Sequence, residues 1–188
     1  MAFNVNDFRA KFADGGARPN LFRVQLFNPI GKIFLHNASF EVKTAQLPAS
    51  SIPSIDVPYF GRQLRVAGNR TFEPWTVTCF NKEDMELRSK MEEWMAAINT
   101  HSGNTLVLDN GSQAGTSYKS NATVEHFDKK GNIISTYNFQ GVFPTEVAAI
   151  ELGWDTNDSI EEFSVTLAYD WWENAASEGN RVSPVIAT

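Results

Sequence analysis

The chain has a single cysteine, Cys79, so no internal disulfide can form, and the usage fits a reducing compartment. No run approaches the roughly 18 apolar residues that a membrane-spanning helix needs. The first residues, through Phe12, lack the apolar stretch and small-residue cleavage site of a secretory leader. The expectation is a soluble protein without a membrane span. Basic residues are scarce: sixteen Lys and Arg against twenty-two Asp and Glu leave a formal charge of −6. That is the wrong sign for a protein whose affinity rests on neutralising phosphates, so wrapping of DNA or RNA is disfavoured. His36, His101 and His126 are far apart and lie near no Cys-x-x-Cys or His-x-x-x-His spacing, which argues against zinc. Asp155-Thr156-Asn157-Asp158 lacks the glycine and distal glutamate of a calcium loop and reads as a turn. No phosphate loop or nucleophile elbow is present, and Cys79 reads as a buried thiol. The expectation is a protein that is not an enzyme and carries no cofactor or metal.

What is present is apolar material in strand phase: 42% of the 188 residues are hydrophobic and 12% aromatic. Asn20–Phe27 alternates Phe22, Val24 and Leu26 against Arg23 and Gln25, as a half-buried strand does. A longer alternation sets Phe34, His36, Ala38, Phe40 and Val42 against Asn37, Ser39, Glu41 and Lys43, predicting one strand with a wet face. Leu47–Pro58 holds three prolines and three serines and reads as a long loop, because proline removes ladder donors and restricts its predecessor. Strand character returns over Tyr59–Val66 and Trp75–Phe80. Asn81 with Asp84 three residues on predicts a helix N-terminus, and Leu87, Met91, Trp94, Met95 and Ile98 form one helical stripe. Tyr118–Phe127 and Ile133–Gln140 flank a turn at Asp128–Gly131. A short strand is expected to end at Trp154, and a last one to place Phe163, Val165, Leu167, Tyr169 and Trp171 inward.

About seven strands and one helix predict a mainly β fold: an antiparallel β-sandwich or barrel with one flanking α-helix. The expected organisation is a single domain over 1–173 followed by a mobile Ala-, Ser- and Gly-rich extension, 174–188.

Six collinear segments resemble the tail tube proteins of contractile-tailed bacteriophages. They are Ala17-Arg18-Pro19-Asn20-Leu21-Phe22, Ala45-Gln46-Leu47-Pro48-Ala49, Val66–Phe72 leading into Trp75-Thr76-Val77-Thr78, Phe143-Pro144-Thr145-Glu146-Val147, Glu151-Leu152-Gly153-Trp154-Asp155, and Phe163–Asp170. The resemblance implies a tail-tube fold, like that of type VI secretion tubes, whose protomers close into hexameric rings stacked as a hollow tube. It further implies a sheath protein outside, a baseplate as template, and tape-measure protein and double-stranded DNA in the lumen. The location would be the virion, after assembly in the host cytoplasm. On this view Leu47, Pro48, Ile52, Pro53, Ile55, Val57 and Phe60 make ring-to-ring contacts, since a proline-rich loop loses little entropy on docking. The wet strand positions Asn37, Ser39, Glu41, Lys43, Asn121, Thr123, Glu125, Thr136, Asn138 and Gln140 would line the lumen. The alternative is a monomeric β-sandwich that binds a ligand in an aromatic groove near Trp171-Trp172.

Overall fold

The computed structural model describes residues 5, 9–10, 15–29, 33–34, 41–103 and 118–176. Twelve strands and one full helix are found among them: β1 (Phe22–Asn28), β2 (Ile33–Phe34), β3 (Val42–Ala45), β4 (Ser50–Ser51), β5 (Ser54–Tyr59), β6 (Arg62–Ala67), β7 (Thr71–Phe72), β8 (Trp75–Phe80), α1 (Glu86–Ile98), β9 (Ser120–Phe127), β10 (Ile133–Val147), β11 (Glu162–Ala168) and β12 (Trp171–Ala176). All ladders are antiparallel.

The organising element is β10, fifteen residues long. One edge of its first part pairs with β9, and Ser135–Gln140 pair with β12. Its last part, Phe143–Val147, pairs with β11. The order β1-β9-β10-β12 therefore passes, through one strand, into β10-β11-β8-β3. The changeover lies at Gly141, beside a register shift between Gln140 and Val142. Its φ of +70 lies in the region glycine occupies freely, and a Cβ there would run into the Asp170 carboxylate. A bulge of this kind bends a strand and lets it serve two sheets.

The core lies between those sheets. Val24, Leu26, Ala122, Val124 and Phe139 come from the first, and Trp75, Val77, Cys79, Phe163, Val165 and Leu167 from the second. Trp75 stacks on Phe139 at 4.4 Å between ring centroids and 17° between planes, and Tyr169 meets Phe139 edge-on at 5.1 Å. Helix α1 covers the assembly with Leu87, Met91 and Trp94, and the buried Trp94 indole donates to the Tyr118 carbonyl at 2.8 Å.

Several expectations change. The prolines do not hold 47–58 open: β5 and β6 form a two-stranded hairpin around Phe60-Gly61. Pro58 is tolerated because each strand of a lone hairpin has a free edge, where a missing donor costs nothing. Ile33–Phe34 pair with β1 and Val42–Ala45 with β8. Glu41 has a helical backbone, so the alternation does not run into Val42 as one strand; period-2 patterning assigns faces, not partners. The helix begins after Met85, not Asn81, because Asn81 is drawn under Glu161, whose backbone carbonyl takes its N–H at 2.9 Å. The strand beyond Pro144 ends at Val147 and leaves Trp154 on an open loop. Trp171 is 46% exposed: the chain turns at Asp170 into β12, which resets the alternation. Asn174–Ala176 are part of β12, past the expected boundary at 173, and 177–188 lie outside the described residues.

Candidate assembly surfaces

Among the described residues no group of three or more His, Cys, Asp or Glu could hold a metal ion, and no helix is long and apolar enough to cross a membrane. The features that stand out are surfaces.

The first is the outer face of β1-β9-β10-β12. The registers align Arg23 with Glu125, Gln25 with Thr123, Thr136 with Glu125, Asn138 with Thr123 and Gln140 with Asn121. They also add Glu173 beside Asn138 on β12. Side chains alternate along each strand, so these residues share the face opposite Val24, Val124 and Phe139. Arg23 Nε donates to Glu125 at 2.7 Å and Thr123 Oγ1 to Asn138 at 3.2 Å. The structure thus brings together Asn121, Thr123, Glu125, Thr136, Asn138 and Gln140. Arg23, Gln25 and Glu173 join them; the sequence already held Arg23 and Gln25 in alternating phase.

Two expected members of this face lie elsewhere. Glu41 is 8% exposed and held by Lys82, so it is a buried partner and not a wet strand position. Its hydrogen bond raises the Lys82 ammonium above the usual lysine value. Lys43 stands on β3, in the other sheet, paired with Glu162 at 2.6 Å. Asn37 and Ser39 lie outside the described residues.

Among the described residues, this four-stranded sheet has two largely unpaired edges: β1 uses its second edge only at Phe27 and Asn28, towards β2, and β12 pairs with β10 alone. Unpaired strand edges are templates for another chain.

The second surface is the β5–β6 hairpin. Phe60 and Gly61 have φ of 43 and 76, the positive values of a type I′ turn that suits a two-residue hairpin. Ile55 faces Val66 and Val57 faces Leu64, with Tyr59 and Arg62 next to the tip. The opposite side carries an Asp56–Arg65 ion pair at 3.4 Å. Every residue from Ser54 to Ala67 is exposed, Phe60 at 91%. Of the expected contact residues, Ile55 and Val57 lie in β5, Phe60 at the tip, Ile52 and Pro53 between β4 and β5, and Leu47 and Pro48 at the root. Tyr59, Leu64 and Val66 extend the apolar side.

The third surface is the 148–161 loop, where Leu152 is 87% and Trp154 fully exposed. The expected strand end at Trp154, before the Asp155–Asp158 turn, is replaced by this loop because β10 stops at Val147.

A family profile described as phage tail tube protein matches residues 17–175. The tail tube protein gp19 of Enterobacteria phage T4 is 36% identical over 171 residues, spanning 90% of this chain and 99% of the relative. The chain belongs to the phage tail tube protein family. It is a structural component of the phage tail tube, and its relatives are structural proteins and not enzymes. The tail tube protein of Serratia phage KSP90 is 27% identical, over 88% of this chain and 93% of its own. The tail tube fold is shared with more distant structures. The anti-feeding prophage cap aligns at a TM-score of 0.62 and 15% identity, over 86% of this chain and 92% of that one. A sheath–tube complex of an extracellular contractile injection system aligns at 0.58 and 16%, over 89% and 97%.

Proposed function

We propose that the protein closes into hexameric rings and that the rings stack into the tail tube through the β5–β6 hairpin. The observation that carries the reading is the pair of unpaired edges, β1 and β12, on the two sides of one four-stranded sheet. Pairing β12 of one copy with β1 of the next completes both ladders without a new element, as in β-augmentation. The joint is head-to-tail, so it closes only as a ring or runs on as a filament. Six such four-stranded sheets, at about 4.8 Å per strand, enclose a circle roughly 37 Å across, and strand tilt widens it.

In this arrangement the polar face with Asn121, Thr123, Glu125, Thr136, Asn138 and Gln140 lines the lumen. Amide, hydroxyl and carboxylate groups give phosphates little to hold, so double-stranded DNA slides past them. Tape-measure protein fills the lumen before the genome passes. The sheath protein surrounds the tube, the baseplate templates its first ring, and assembly takes place in the host cytoplasm. Native mass spectrometry and negative-stain microscopy at tens of micromolar test the reading. Hexamers or hollow tubes are expected, and replacing Ile52–Ala67 by a short Gly-Ser linker should leave rings but no tubes. A strict monomer at all concentrations, even with a tail initiator added, overturns it in favour of a ligand-binding module.

A further inference from the structure

Tubes need a second surface to receive the hairpin, and the fold places a suitable one at its opposite pole. The hairpin leaves the body beside the start of β8, where the Trp75 indole donates to the Gln46 carbonyl at 2.9 Å. The 148–161 loop sits beside the end of β8: Glu161 O accepts from Asn81 N at 2.9 Å, and Glu162 pairs with Phe80. The length of β8, six residues or about 20 Å at strand rise, separates them. Two surfaces at opposite ends of one rigid sheet meet when copies stack head to tail, and only the contact of unlike surfaces propagates.

The chemistry of the two poles is complementary. Residues 50–72 carry three arginines, Arg62, Arg65 and Arg70, against one acid, Asp56. Residues 148–161 carry Glu151, Asp155, Asp158 and Glu161 and no Lys or Arg. No ion pair within the chain uses Arg62, Glu151, Asp155 or Asp158 among the described residues. Their charges are free for a partner, where complementarity fixes register and excludes like-charged surfaces. The shapes agree as well. Ile150, Leu152 and Ile160 line an open cleft of about 390 Å³ together with Glu151, Glu161 and Glu162, while Phe60 stands on a tight turn with 91% of its surface in water. An aromatic anchor filling a pocket inside a polar rim is how interface energy usually concentrates. A monomer gains nothing from leaving Phe60, Leu152 and Trp154 in solvent.

We propose that the hairpin of one copy docks in the 148–161 loop of the copy stacked against it, Phe60 entering the cleft and Arg62 facing Glu151 and Asp155. The proposal rests on the stacking reading above and names its receiving surface. The test mixes two single variants, Phe60→Cys and Leu152→Cys, in equal amounts before tube growth and adds a short bis-maleimide; the buried native Cys79 is the silent control. A dimer-sized cross-link that needs both variants is expected, and tubes that grow without it overturn the proposal. If either cysteine variant fails to grow tubes, charge reversal decides. Arg62→Glu, and separately Glu151→Arg with Asp155→Arg, should each stop growth at rings, and all three changes in one chain should restore tubes. A loop reversal that leaves growth unchanged, or a combination that restores none, overturns the docking. Loss of tubes on hairpin replacement alongside an unaffected loop reversal sinks only this inference, whereas normal tubes after hairpin replacement sink the stacking reading too.

Discussion

Cys79 illustrates how a single side chain is governed by what lies around it. It sits in the alternating stripe Trp75, Val77, Cys79 of β8, and burial first, then the negative charge of Glu41, pushes its thiol up to about 12. The reactive species is the thiolate, and at pH 8 fewer than about one thiol in a thousand is ionised in such a site. Native protein should therefore take up no iodoacetamide over hours at pH 8, whereas guanidinium-unfolded chain takes up one label by mass spectrometry. The raised folded value also sets a direction with pH. The stabilisation is complete below the unfolded value of 9.0 and is lost as pH climbs towards about 12. Above pH 9, wild type should lose melting temperature relative to Cys79→Ala. The buried thiol was legible in the sequence from alternation alone. The burial of Glu41 was not, because its partner Lys82 comes from the far end of β8, and no local pattern reports a tertiary ion pair.

At the scale of the element, α1 begins with an imperfection. Met85 occupies the N-cap with φ 50 and offers no side-chain cap; the nearest help is Asp84 Oδ1, which accepts from Glu86 N at 3.1 Å. A left-handed conformation costs a non-glycine residue about 1–2 kcal/mol, so Met85→Gly should stabilise the protein by about 1 kcal/mol and raise the melting temperature by roughly 2–4 °C. Gly141→Ala should act in the opposite sense and more strongly, since its Cβ meets the Asp170 carboxylate. Differential scanning calorimetry of the two variants separates these outcomes. The apolar stripe of α1, the strand β8 and the β9–β10 hairpin were readable because period, length and turn chemistry agree there. Two elements escaped. The β5–β6 hairpin was hidden because proline statistics describe interior strands, while a lone hairpin has only edges. The length of β10 was hidden because Gly141 and Pro144 look like breaks when they mark a corner. Pro144 is buried within the strand and pairs with Leu167.

For the whole molecule, the consequence of the proposed ring is electrostatic. The face that carries Asn121, Asn138 and Glu173 offers passing DNA no unpaired cation among its described members, since Arg23 is engaged by Glu125. Asn138→Lys with Glu173→Lys should leave tubes intact and slow DNA ejection, more at low salt, where screening is weak and each phosphate contact counts. Ejection kinetics unchanged in tails carrying both substitutions would place this face away from the genome. Of the assembly surfaces, the polar strand positions of β9 and β10 were legible as alternation. That they share one face with β1 and β12 was not, because pairings between distant segments leave no periodic trace. The loop with Trp154 was legible only as a family segment, since its exposure depends on β10 stopping at Val147.

Among the described residues, β12 is one of the two free edges and also the last strand to be synthesised, with β1 paired to β9 a hundred residues downstream of it. Neither edge of the proposed ring joint exists in finished form on a nascent chain: β1 has no β9 ladder until β9 has emerged, and the second edge is absent until Ala176 has. In the proposed ring, a subunit becomes competent to join its neighbours only after Ala176 has left the ribosome. Under that proposal the order of the strands delays joining until β12 has been made, and neighbouring chains on one polysome are kept from polymerising before then.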